Sequence, residues 1–243
     1  MDHPFLVAGL IGVVSLLYAA AGQAGGTAFL AIMAFAAFPA TEMRPTALLL
    51  NIIAAGYATW QLHRRAAIDR ALLLNVTAPS LVTAFVGGLL VLDGHVYFAL
   101  TGLLLVAAAT LMIVRRSADG GELRPVRPVT AAVAGAGIGF VSGLTGVGGG
   151  VFLMPVVIAF GWALPRATAA LSPPFILCNS VVGLLGALLA GQRFAADTVL
   201  FSAGALTRAI LGSSIGLRWM SERATRYVLA IVLMFAGFRL LFR

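Results

Sequence analysis

The chain contains no lysine; all sixteen of its basic residues are arginines. It has only eight acidic residues, three histidines and one cysteine. A single thiol, Cys178, rules out an internal disulfide framework, and its apolar neighbours favour a buried, inert side chain. Charged residues make up 10% of the chain and hydrophobic residues 61%, with a mean hydropathy of +1.04. A soluble domain of that composition would expose large apolar patches, so the scarcity of charge points to a membrane. No acidic residue lies within a long apolar run, and His3, His63 and His95 fall near the ends of such runs.

What is present is long uncharged stretches. Ala71 to Leu92, Val96 to Val114 and Ala167 to Gln192 each match or exceed the roughly 18 to 20 residues that cross a hydrocarbon core as a helix. A β-barrel would need short alternating segments instead. The expectation is an all-α polytopic integral membrane protein. The N-terminal run Phe5 to Ala21 lacks the basic flank of a signal peptide, since the chain opens Met1, Asp2, His3, Pro4, and it reads as a retained first helix. The net charge of +8 does not imply nucleic acid, because most arginines lie in short connections between apolar runs, as membrane topology requires.

The sequence also repeats itself. At a separation of 124 residues, Gly22, Gly25 and Gly26 lie over Gly146, Gly149 and Gly150. At a separation of 128, RPTALLLN from Arg44 lies over SPPFILCN from Ser172, pairing Pro45 with Pro173, Asn51 with Asn179, Asp69 with Asp197 and Gly88 with Gly216. A duplicated membrane unit is a common ground plan of transporters, with the binding site between the repeats near mid-membrane. Residues 1–114 therefore read as a first transmembrane repeat, 115–128 as a polar linker and 129–243 as a second repeat.

Each half divides into about five apolar segments. In the second half they run approximately Val129 to Ser142, Val151 to Trp162, Thr168 to Ala190, Thr198 to Trp219 and Tyr227 to Phe242. The first two are short for full spans and suggest a broken or re-entrant hairpin with a glycine-rich tip. An odd number of segments inverts the second repeat. With both termini on one face, one side then receives eleven arginines and the other only Arg44, Arg193, Arg239 and Arg243. Counting each hairpin as one broken span gives ten against five, so inverted repeats with external termini are expected, in a bacterial inner (cytoplasmic) membrane.

Five glycines fall between Gly143 and Gly150, inside a stretch with no charge from Pro128 to Pro165. Consecutive glycines admit positive φ and can aim several N–H groups into one concavity, and a helix starting at Val151 would add its positive dipole end. Such backbone is tolerated in hydrocarbon only where protein buries it or it lines a cavity. That suits an anion site; close helix packing through small residues is the competing reading. Arg208, near the centre of Thr198 to Trp219, has no acid within its segment, which invites an anionic ligand or, alternatively, snorkelling. Its first-half equivalent is Ser80. Asn51 and Asn179, each six residues after a proline, could donate to a substrate or support unwound glycine backbone. Gln23, Thr145, Ser142 and Thr27 are weaker candidates, because membrane hydroxyls usually bond their own i−4 carbonyl. Pro45, Pro155 and Pro173 read as helix starts or breaks. The candidate substrate-binding set is Gly22, Gln23, Gly25, Gly26, Asn51, Thr145, Gly146, Gly148, Gly149, Gly150, Asn179 and Arg208. No motif asks for a metal or a cofactor.

The stretch GFVSGLTGVGGGVFLMPVVIAFGWALPRATAAL, with its first-half echo, resembles the sulfite exporter TauE/SafE family of membrane permeases. The likeness covers essentially the whole chain and is most specific at Gly146-Val147-Gly148-Gly149-Gly150 followed by Pro155. The first half departs from it at Ala19 and Ala24, where the second half has glycines. The resemblance implies transport of small sulfur-containing anions such as sulfite, sulfoacetate, thiosulfate or organosulfonates, by export or import. The lipid bilayer and a small anion are then the partners, and homodimerisation through small residues is compatible with the sequence. With no carboxylate or histidine deep in a segment, potential-driven movement and proton symport stay open. An intramembrane serine protease around Ser142 would need a base that the chain does not supply at that depth, so an enzyme is not expected. A non-catalytic membrane subunit or an anion channel are the alternatives.

Overall fold

The computed structural model describes residues 4–20, 26–65, 68–114, 123–219 and 222–242. These form ten helices and no strand: α1 (Pro4–Ala20), α2 (Gly26–Phe35), α3 (Ala40–Arg65), α4 (Arg70–Leu89), α5 (Gly94–Val114), α6 (Pro128–Thr145), α7 (Gly150–Ala159), α8 (Pro165–Leu189), α9 (Thr198–Trp219) and α10 (Glu222–Leu241). In lipid every backbone polar group must be satisfied within the protein, which leaves helices as the solution for such apolar runs. Among the described residues four stretches are long and apolar enough to cross a membrane: Arg70–Leu89, Gly94–Leu111, Pro128–Thr145 and Ala167–Leu189. Leu74, Val82, Leu103, Val133 and Val199 face outward, as a lipid-facing surface requires.

The helix lengths run 17, 10, 26, 20 and 21 residues in the first half and 18, 10, 25, 22 and 20 in the second. The two halves interleave. α1 packs on α9, α4 on α6, α5 on α10 and α3 on α8, and α4 also touches α8.

Three sequence expectations change. α6 is not half of a short hairpin: it runs 18 residues to Thr145, about 27 Å, and only the ten-residue α7 is too short to span. Gly135, Gly139 and Gly143 inside α6 stay helical because they meet α4 backbone to backbone. A methyl group on Gly135, Gly139 or Gly143 would run into the carbonyls of Val76, Ser80 and Ala84 in turn, the close approach that small residues allow between membrane helices. On α4, Gly87 meets α6 at Phe140 and Gly88 meets α8 at Gly183 and Gly186, so α4 is clasped from two sides. Second, Pro45, Pro155 and Pro173 neither start nor break helices but lie inside α3, α7 and α8; neighbouring helices and polar side chains compensate for a missing N–H in a membrane helix. Third, Cys178 is half-buried rather than buried.

Candidate functional site

α6 ends where the glycines begin. Gly146, Gly148 and Gly149 have φ of +84°, +83° and +77°, a region that costs an L-residue roughly 1–2 kcal/mol. The Gly146 N–H closes the last turn of α6 on the Ser142 carbonyl at 2.8 Å, and Gly150 opens α7. Residues 142 to 150 are all buried. The turn meets the two longest helices near their middles: Gly148 faces Asn51 of α3 and Ile176 of α8, Gly149 faces Phe175, and Gly150 faces Ile176 and Ser172.

Side chains from α3 and α5 take the carbonyls of this segment. Arg44 Nη1 donates to the Leu144 oxygen at 3.3 Å, the Tyr97 hydroxyl to the Thr145 oxygen at 2.9 Å, and Asn51 Nδ2 to the Gly146 oxygen at 3.1 Å. The N–H groups are treated differently. Among the described residues, those of Gly148, Gly149, Gly150 and Val151 have no backbone acceptor, as expected of the first turn of a helix without a side-chain cap. The α7 dipole places its positive end there. Two fully buried oxygens beside the turn, Ser142 Oγ and Asn51 Oδ1, also lack a hydrogen-bond partner. The Leu144, Thr145 and Gly146 carbonyls are taken while the N–H groups of Gly148 to Val151 are left over, and those donors suit a negative ligand; the Ser142 hydroxyl can also donate, whereas Asn51 Oδ1 can only accept.

The structure brings together Asn51, Thr145, Gly146, Gly148, Gly149 and Gly150. Thr145 bonds the Val141 carbonyl of its own helix at 2.7 Å, and its hydroxyl accepts from the Val147 N–H at 3.4 Å. Asn179 belongs to the neighbouring turn of α8, and its Nδ2 donates to the Phe175 carbonyl at 3.0 Å, so it does not support the glycine backbone as Asn51 does. Its Oδ1 is likewise buried without a partner. Gly26 opens α2. Gly22, Gln23 and Gly25 lie outside the described residues, and Arg208 lies within α9 with its side chain outside them.

Sequence reasoning missed Arg44 and Tyr97. Arg44 counted among the loop arginines, yet it lies inside α3 with 1% of its surface exposed, the largest fully buried side chain described. Its guanidinium donates to Gln192 Oε1 at 2.9 Å through Nε, to the Gly87, Leu90 and Leu144 carbonyls at 3.3, 2.7 and 3.3 Å through Nη1, and to the Gly88 carbonyl at 2.8 Å through Nη2. None of these partners is a carboxylate. One signal was legible: the 128-residue offset lays Arg44 over Ser172, a position inside an apolar segment, not a loop.

The family model described as "Sulfite exporter TauE/SafE" matches residues 5–240. "Probable membrane transporter protein y4hK" of Sinorhizobium fredii (strain NBRC 101917 / NGR234) is 34% identical over 233 residues, covering 94% of each chain. No solved structure gives a significant match. A helical membrane architecture and a match over nearly the whole chain lead to one conclusion: this chain belongs to the sulfite exporter TauE/SafE family and is an integral membrane transporter, not an enzyme.

Proposed function

We propose that the protein carries small sulfur-containing oxyanions or organosulfonates, such as sulfite, sulfoacetate or thiosulfate, across a bacterial inner membrane. The observation that carries this reading is the buried glycine turn with the Leu144, Thr145 and Gly146 carbonyls occupied and the N–H groups of Gly148, Gly149, Gly150 and Val151 left over. A tetrahedral or pyramidal oxyanion matches several converging donors, and the family description supplies sulfur. In this reading Asn51, Thr145 and Gly146 shape the site, Asn179 flanks it, and Arg208 adds positive potential along the path. Gly22, Gln23, Gly25 and Gly26 form the first-half counterpart.

The two halves are proposed to be inverted repeats with external termini. Gly56 touches Leu177 while Gly183 touches Leu48, so α3 and α8 run antiparallel. Gly102 touches Leu240 and Gly237 touches Val106, so α5 and α10 do the same. Repeat-equivalent helices that pack antiparallel are what a two-fold axis in the membrane plane produces. The substrate would lie between the halves, and rocking of one against the other would alternate access.

The test is counterflow of radiolabelled sulfite into proteoliposomes containing only this protein, preloaded separately with sulfite, sulfoacetate, thiosulfate, sulfate or chloride. Accumulation driven by the sulfur anions and not by chloride is expected. No accumulation with any of them, in folded protein, would overturn the proposal in favour of a channel or a subunit that needs a partner.

A further inference from the structure

The glycine turn is flanked by two helix ends of the wrong sign for an anion. The last carbonyls of α4 and α6 each carry about half a negative charge, and the start of α7 offers only about half a positive one. Left alone, these ends sum to about half a negative charge. Arg44 reverses the sign. Its guanidinium is bonded to Gly87, Gly88 and Leu90 at the end of α4 and to Leu144 at the end of α6. Its backbone and stem lie against Gly146: a methyl on that glycine would be 3.2 Å from the Arg44 carbonyl and 3.3 Å from its Cγ. Adding one unit of charge leaves about half a positive charge beside the turn.

We infer that Arg44 is the specificity-determining charge of the transporter, cancelling the negative ends of α4 and α6 so that the glycine turn accepts an anion, with Gln192 holding it as a neutral partner. This rests on the anion site proposed above. The neutrality of Gln192 is central to the inference. An arginine buried for structural reasons alone is best served by a carboxylate, because a buried charge is costly unless paired. Here the side-chain acceptor is an amide on the α8–α9 connection, which Thr46 also holds to α3 through the Ala195 N–H at 3.1 Å. The positive charge is therefore kept, not quenched.

Gln192→Glu tests this without removing the guanidinium. A carboxylate oxygen in the place of Oε1 preserves the Nε bond while cancelling the charge, so folding should be unchanged or strengthened. The concentration of sulfite giving half-maximal counterflow should rise by about tenfold, the effect of one unit of charge roughly 12 Å from the anion in a medium of effective dielectric constant about 20. Arg193→Gln makes the same change in net charge at the adjacent exposed residue and should move that concentration by less than about twofold. Arg44→Lys, if it folds, should keep the preference for anions. An unchanged half-saturating concentration in Gln192→Glu would reduce Arg44 to a structural clamp and overturn the inference, as would an equal rise in Arg193→Gln. Absence of counterflow in the unaltered protein would instead defeat the sulfur-anion reading itself, and this inference with it.

Discussion

Two glycines in one helix, two residues apart, separate backbone packing from helix propensity. Gly139 of α6 packs against α4, where an added methyl would be 2.7 Å from both Cα and Cβ of Ser80 and would collide with the Ser80 carbonyl. Ordinary carbon contacts are about 3.5–4.0 Å, so α6 would have to retreat by about 1 Å. A methyl added to Gly137 would have nothing within 4 Å. Alanine favours a helix interior over glycine by up to about 1 kcal/mol, and that gain is common to both substitutions. It cancels when the two are compared, leaving the overpacking cost of about 1–3 kcal/mol against Gly139→Ala alone. Equilibrium unfolding of the two variants in mixed micelles would read this difference directly. Because α6 carries the glycine turn at its end, counterflow should fall in Gly139→Ala and persist in Gly137→Ala. Equal stability in the pair, or a greater loss in Gly137→Ala, would refute the glycine-mediated contact of α4 with α6.

Asn51→Leu should destabilise the protein by about 1–3 kcal/mol, because the buried Gly146 carbonyl loses its donor. Asn179→Leu removes only a bond within its own helix and should leave unfolding nearly unchanged; equal losses in the two variants would contradict the asymmetry described here. Arg208→Gln should lower the rate of sulfite counterflow by about tenfold while leaving the unfolding temperature unaltered, since the role proposed for Arg208 is to act on the substrate and not on the fold. Undiminished transport in that variant would remove Arg208 from the path.

Much of the fold could be read from where charge is missing. The uncharged runs beginning at Ala71 and Val96 correspond to α4 and α5, and the segment Thr198 to Trp219 is α9 to the residue. The expected second segment, Val151 to Trp162, is α7 shortened at its C-terminus. The end of α6 was misjudged because a glycine-rich sequence looks like a break, whereas Gly143 continues the helix on the strength of the α4 backbone beside it, a contact between residues 59 apart. Gly146, Gly148 and Gly149 were legible as a turn because nothing but glycine takes their positive φ cheaply. Arg44 was not legible as a core residue. Counting arginines by side assumes that charge stays at the surface, and this one is held by carbonyls whose position depends on how α4 and α6 end. The asparagine pair was visible, but only the structure distinguishes the one that braces the turn from the one that bonds its own helix.

The interleaving of the halves bears on how the chain is made. α1 packs on α9, with Ser15 donating to the Ala205 carbonyl at 2.8 Å and Gly204 against Ala8. During synthesis α1 must wait for α9 before it meets its main partner, and α4 must wait for α6. Until then Ser15, buried in the finished protein, has only lipid, its own helix or a chaperone to satisfy it. Biogenesis is therefore completed late, and a ribosome stalled anywhere before α9 leaves a membrane-inserted chain in which α1 can meet α2 and α3 but not its main partner.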